Sequence, residues 1–198
     1  MKKIPTLFER IYENHKVIGI TPKVTEGMEW VLEGAGVATI KWDGACCAII
    51  NGELYKRYDA KKRKKPPVGA IPCCDPDPIT GHWPHWVKCD MNNPADKCFF
   101  AAYSFGFSPT KKPLDGTYEA VGKHFNGNPY GLSHDSLIRH GVDIIHPDRT
   151  FEGIKNFLEF NNSEGIVFWK DGEPQCKIKR TDFGFKWPTE QMKYYCIV

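Results

Sequence analysis

The sequence predicts an α+β domain built on antiparallel strands, and three observations carry that reading. Asn51-Gly52 stands between "ACCAII" and "ELYKRY", two short runs suited to strands, and such a pair marks a two-residue hairpin. Asp171-Gly172 plays the same part between "EGIVFW" and "PQCKIKR" near the end of the chain. No internal repeat and no shift in composition divides the sequence, so residues 1–198 are expected to form a single domain.

In chain order, residues 6–16 and 26–33 read as short helices, each apolar on one side. Val37 to Trp42, Ala45 to Ile50 and Glu53 to Tyr58 read as three strands. Residues 60–98 are rich in proline, glycine and charge and read as an irregular insertion. Their tryptophans argue for order, because disordered segments are poor in aromatics. "FFAAYSFGFS" reads as a helix or a strand, "GTYEAVG" as a strand, and "SLIRHGV" and "TFEGIKNFLEF" as helices. In the closing hairpin, Lys170 faces Glu173, which puts Glu164 opposite Lys179 and Ile166 opposite Lys177. With a strand period of two, all four share one face, and Val167, Trp169, Cys176 and Ile178 form the core face.

Bulk properties narrow the class. The chain has 198 residues, 41% of them hydrophobic and 26% charged, and a net charge of +3, so overall charge does not announce nucleic acid. The charge is unevenly spread: "KRYDAKKRKK", from Lys56 to Lys65, holds seven cations and one anion and can track phosphates. No secretory leader is visible, because Pro5 and charges break the first sixteen residues. No apolar run approaches the ~20 residues that span a bilayer. A soluble, intracellular, cytoplasmic protein without a membrane partner is expected. Eight cysteines, two pairs of them adjacent, then read as reduced thiols. A zinc site among Cys73, Cys74, His82, His85, Cys89 and Cys98 lacks any C-x-x-C spacing and is disfavoured.

Lys41 is the residue that stands out. It lies between Ile40 and Trp42, just before an Asp43-Gly44 corner, where an open surface would suit a lysine better. A lysine so flanked points into a pocket. Downstream come Arg57 on a basic strand, Glu119 in "TYEAVG", the turn "KHFNGNPYG", "SEGIVFW" and "CKIKRTDFG". Lys41-Trp42-Asp43-Gly44, followed in order by these segments across residues 39–182, resembles the K-x-D-G and later motifs of covalent nucleotidyltransferases: ATP-dependent DNA and RNA ligases and mRNA-capping guanylyltransferases. "TIKWDGACC", "LYKRYDAK", "DPDPITGHWPHW", "YEAVGKHFNGNPYG" and "KIKRTDFG" look like the small 5′–3′ RNA ligase family found in vertebrates, viruses and microbes.

The resemblance implies an adenylyltransferase domain (an ATP-grasp-like ligase fold) of antiparallel sheets with flanking helices and no OB-fold domain; only 18 residues follow Arg180. It implies ATP as cosubstrate, AMP carried covalently on Lys41, and Mg2+ or Mn2+. It also implies a partner RNA bearing 5′-phosphate and 3′-hydroxyl ends, and a monomeric enzyme. Lys177 and Lys179 would hold the α-phosphate and lower the pKa of Lys41, ~10.4 in solution, so that it can attack. Glu164 would serve the metal, Glu119 the ribose or the metal, and Asp43 the metal in later steps. Arg57 would contact ribose or the nucleic-acid end, and Thr39 with backbone at Ile40 the adenine. Phe125, with Tyr130 as its rival, would stack on the base. Lys56, Lys61, Lys62 and Arg63 are the RNA-binding candidates. Guanylyltransferases and DNA ligases share the lysine and remain the alternative enzymes. A catalytically silent RNA-binding module would have no use for Lys41, Glu164, Lys177 and Lys179 together.

Overall fold

A computed structural model describes residues 3–60, 65–78, 80–105 and 113–189. The strands are β1 (Phe8–Glu13), β2 (Lys16–Val24), β3 (Val37–Lys41), β4 (Ala45–Ile50), β5 (Glu53–Ala60), β6 (Ile71–Pro72) and β7 (Trp83–Lys88). Helix α1 (Lys97–Ser104) follows, then β8 (Gly116–Val121), β9 (Ser136–Arg139), β10 (Ile144–Ile145), α2 (Phe151–Phe160), β11 (Gly165–Lys170) and β12 (Glu173–Lys179). The fold is α+β and mostly antiparallel. Among the described residues, no helix is long and apolar enough to cross a membrane.

The chain divides into two compact units, Gly44–His140 and, in the other, Ile4–Asp43 with the described residues from Gly141 onward. In the first unit a six-stranded sheet runs β6-β7-β5-β4-β8-β9. Cys47, Ile49, Leu54, Tyr118, Ala120 and Phe125 bury one face against α1. The turn at Asn51-Gly52 has both residues at positive φ, 53° and 75°, as a type I′ hairpin needs. In the second unit a four-stranded sheet runs β10-β3-β11-β12, beside the two-stranded β1-β2 ribbon. Its core joins Leu7, Phe8, Ala38, Ile166, Phe168, Cys176 and Ile178 to Ile154 and Leu158, one turn apart on α2. Thr150 caps α2, its hydroxyl accepting from the Gly153 N–H at 3.0 Å.

Several local expectations give way to tertiary pairing. Residues 6–16 are no helix: β1 and β2 form a hairpin whose Asn14 and His15 sit at φ 48° and 62°. Leu7, Phe8, Ile11 and Tyr12 fit a helical spacing, but Leu7 donates its N–H to the Lys177 carbonyl at 2.7 Å, which extends the chain. Of residues 26–33, only Glu29–Val31 form a 3-10 turn. "SLIRHGV" supplies β9, drawn into the sheet by β8. The irregular insertion contains β7, paired with β5 from Tyr55↔Lys88 to Ala60↔Trp83; Pro84, its second residue, masks the strand in the sequence.

Candidate active site

Lys41 ends β3, which lies between β10 and β11; β11 pairs with the lysine itself through Gly165, while β10 pairs with Ala38 and Thr39 just before it. Alternation sends Ala38 and Ile40 toward the core with Ile166 and Phe168, and Thr39 and Lys41 to the opposite face with Val167. The closing hairpin brings up Lys177 and Lys179, in a register that differs from expectation. From Lys170↔Glu173 and Trp169↔Pro174 the pairing shifts to Phe168↔Cys176, leaving Gln175 as the extra residue of a bulge. Pro174 has no N–H to give the ladder, and the bulge absorbs the defect. Lys177 therefore pairs with Val167 and Lys179 with Gly165. Ile166 belongs to the core, fully buried, and Val167 to the lysine face, the reverse of what the sequence led us to expect.

Glu164 reaches the lysines by another route. It precedes β11 at a bend, and its carbonyl accepts the Arg180 N–H at 2.8 Å. One carboxylate oxygen bonds the Lys41 ammonium and the other the Lys179 ammonium. The Glu164 residue is 5% exposed. Gly165 makes the close approach possible: a Cβ there would lie 2.2 Å from the Ile178 carbonyl oxygen and 3.1 Å from the Lys179 Cα. The Lys177 ammonium has no hydrogen-bond partner among the described residues. Burial, with Lys41, Lys179 and Arg10 nearby, lowers its pKa to about 8 against the pull of Glu164. Asp182, buried, accepts the Lys179 N–H at 2.8 Å and takes Arg10 at 2.8 Å. Neither Arg10 nor Asp182 was singled out in the sequence; Asp182 lies three residues past Lys179 and Arg10 in a segment read as helix.

The other candidates are more scattered. Asp43 accepts the Trp187 indole N–H at 2.8 Å in the lysine-bearing unit. Thr39 is 1% exposed and its hydroxyl accepts the Trp169 indole N–H at 2.9 Å, while the Ile40 N–H donates to the Asp143 carbonyl at 3.0 Å. Both groups expected to read adenine are thus engaged within the fold. Arg57, Glu119, Phe125 and Lys56 lie in the other unit. Glu119 accepts the Gly44 N–H at 3.1 Å and meets His140 Nε2 at 3.0 Å. Arg57 bonds Asp59 at 2.8 Å. Phe125 is 4% exposed and Tyr130 6%, and Phe125 packs edge-on against Phe99. Lys56 is ion-paired with the buried Asp96. Lys61, Lys62 and Arg63 lie outside the described residues.

Among the described residues, no three His, Cys, Asp or Glu side chains converge as a metal cage. A lone buried carboxylate suits Mg2+, which keeps its waters and relies on substrate phosphates more than on protein ligands. Both oxygens of Glu119 are engaged, by the Gly44 N–H and His140, and both of Glu164 by Lys41 and Lys179; of the two, Glu164 is the carboxylate that lies among the lysines. Every described cysteine is a free thiol, and burial pushes Cys46, Cys89 and Cys176 up to about 12, which keeps those three protonated near neutral pH. The lysine cluster itself presents a half-buried primary amine, Lys41, held by a carboxylate that also binds Lys179.

The chain is similar to proteins named RNA ligase 1. It is 30% identical to the one from Danio rerio over 139 residues, covering 54% of this chain and 42% of that protein. With the Rattus norvegicus protein the identity is 26% over 228 aligned positions, covering 77% and 68%. With the Pongo abelii protein it is 25% over 229, covering 78% and 69%. This chain thus spans less than half of the fish relative and somewhat over two thirds of the mammalian ones. No family model matches the sequence.

Proposed function

We propose that the protein is an ATP-dependent RNA ligase that joins 5′-phosphate and 3′-hydroxyl ends through a lysyl-AMP and an RNA-adenylate. The arrangement of Lys41, Glu164 and Lys179 in one ion-paired chain, with the uncompensated Lys177 beside it, carries this reading. Similarity to proteins named RNA ligase 1 supports RNA as the substrate.

The chemistry follows from these side chains. Lys41 Nζ loses one proton, for which Glu164 Oε2 is the acceptor in contact, and attacks the α-phosphorus of ATP. A P–N bond forms, the P–O bond to the β-phosphate breaks, and pyrophosphate leaves. Lys177 and Lys179 stabilise the negative charge that spreads over the α-phosphate oxygens. A divalent cation, Mg2+ or Mn2+, held by Glu164 and the substrate phosphates, would supply further charge neutralisation there. The RNA 5′-phosphate then attacks the phosphoramidate and frees Lys41. Finally the 3′-hydroxyl attacks the RNA-adenylate and AMP departs.

The test is incubation of the whole chain with labelled ATP or GTP and Mg2+, followed by denaturation and mass spectrometry. One AMP on Lys41 is expected from ATP, and none in Lys41→Ala. Lys41→Arg should also fail, because a guanidinium stays protonated. Label that persists in Lys41→Ala would remove Lys41 from its role, and label from GTP alone would favour a guanylyltransferase.

A further inference from the structure

We infer that Arg10, clamped by Asp182, extends the lysine cluster into a binding site for a polyphosphate chain, so that it receives the β- and γ-phosphates of the nucleoside triphosphate. This rests on the adenylyl-transfer reading and adds a residue to it. The backbone places Arg10 there. Lys177 is bonded on both sides by the entering chain, its carbonyl to the Leu7 N–H at 2.7 Å and its N–H to the Pro5 carbonyl at 3.0 Å. β1 leaves from that junction, and three residues past Leu7 the Arg10 guanidinium meets Asp182, with Nε at 3.1 Å and Nη2 at 2.8 Å from Oδ1. The other Asp182 oxygen holds the Lys179 N–H at 2.8 Å. One buried carboxylate thus positions both a site lysine and the arginine.

Charge is the second observation. Among the described residues, the ion pairs of Arg10, Lys41 and Lys179 use two carboxylates, Asp182 and Glu164, and Lys177 has no ion pair, so four cations share two anions in a half-buried cluster. Lys177 has its pKa lowered by burial and by its cationic neighbours, Arg10 among them, which marks a cluster short of negative charge. Nη1 of Arg10 has no acceptor among the described residues, and the side chain is 26% exposed, so solutes reach it. A planar guanidinium with a free edge binds phosphate oxygens in a fixed geometry. The three lysines suffice for one α-phosphate; the additional cation suits the leaving pyrophosphate.

The test is calorimetric titration of the whole chain with inorganic pyrophosphate, alongside adenylylation by ATP and sealing of pre-adenylylated RNA, which involves no pyrophosphate. Arg10→Ala is expected to weaken pyrophosphate binding about 10- to 100-fold, the worth of charge-assisted hydrogen bonds from one guanidinium. It should raise the KM for ATP by a similar factor, and lose far less in sealing pre-adenylylated RNA. Should Arg10→Ala fail to fold, Arg10→Lys keeps a cation beside Asp182 without the fork and should bind pyrophosphate with intermediate affinity. Wild-type affinity in the folded variant, or no pyrophosphate binding by the wild type, overturns the assignment. Pyrophosphate binding that depends on Arg10 without AMP transfer to Lys41 would leave this site standing and defeat the ligase reading instead.

Discussion

Replacing Glu164 with glutamine separates a catalytic carboxylate from a structural one. Glutamine keeps the shape and one acceptor but removes the charge that holds two ammonium groups. The carboxylate is buried, with a side chain 7% exposed, while Lys41 and Lys179 are 21% and 32% exposed. Breaking a fully buried pair costs about 3–5 kcal/mol, and an exposed one contributes at most about 1. Here the freed lysines can turn to water, so the loss should be about 1–2 kcal/mol. In a 198-residue chain that lowers the Tm by about 2–8 °C. The chemical loss should be larger. Lys41 would lose its orienting partner and its proton acceptor, and the metal its carboxylate. The loss of one preorganised electrostatic group at a reacting centre costs about 100- to 1000-fold in rate. Single-turnover transfer of labelled AMP to the protein, run beside a thermal melt, reads both quantities. Adenylylation within about fivefold of wild type, with a Tm loss well beyond 8 °C, would show that Glu164 is a structural bridge, and the reasoning from the triad would fail.

Two further outcomes follow from the same residues. Lys177 has a folded-state pKa lowered to about 8 from 10.5, so between those values the unfolded chain binds more protons and stability should rise with pH. Below pH 8 the buried charge burdens the fold. Lys177→Met should raise the Tm by a few degrees at pH 7, lose that gain as pH climbs to 10.5, and abolish AMP transfer; a Tm gain independent of pH would refute the electrostatic account. Gly165→Ala should destabilise by about 1–3 kcal/mol, the usual range for an overpacked site. It should also disrupt adenylylation, since the new methyl can be relieved only by moving β12 and Lys179 away from Glu164; an alanine variant with wild-type melting and activity would refute the close approach of β11 and β12.

Local chemistry made part of this molecule legible from sequence. Asn-Gly and Asp-Gly pairs favour the left-handed conformations of a tight hairpin whatever surrounds them, so β4-β5 and β11-β12 were foreseeable. The capped helix at 151–160 was also foreseeable, because Thr150 and the Ile154–Leu158 spacing act within a few residues. Lys41 was conspicuous because a lone cation between apolar neighbours is costly without a partner. Long-range pairing decided the remainder. Residues 6–16 have a period that fits a helix, and only backbone bonds to Lys177, far along the chain, extend them into β1. β7 carries an internal proline that local rules count against a strand, yet β5 recruits it. The bulge at Gln175 exchanged Ile166 for Val167 on the lysine face, since a slip of one residue reverses every side chain beyond it. Glu164 met Lys41 and Lys179 all the same, by a bend that no periodicity encodes. The link from Arg10 through Asp182 to Lys179 joins residues 172 positions apart; it exists only once the sheet is assembled, because charges that distant in sequence have no fixed separation until packing supplies one.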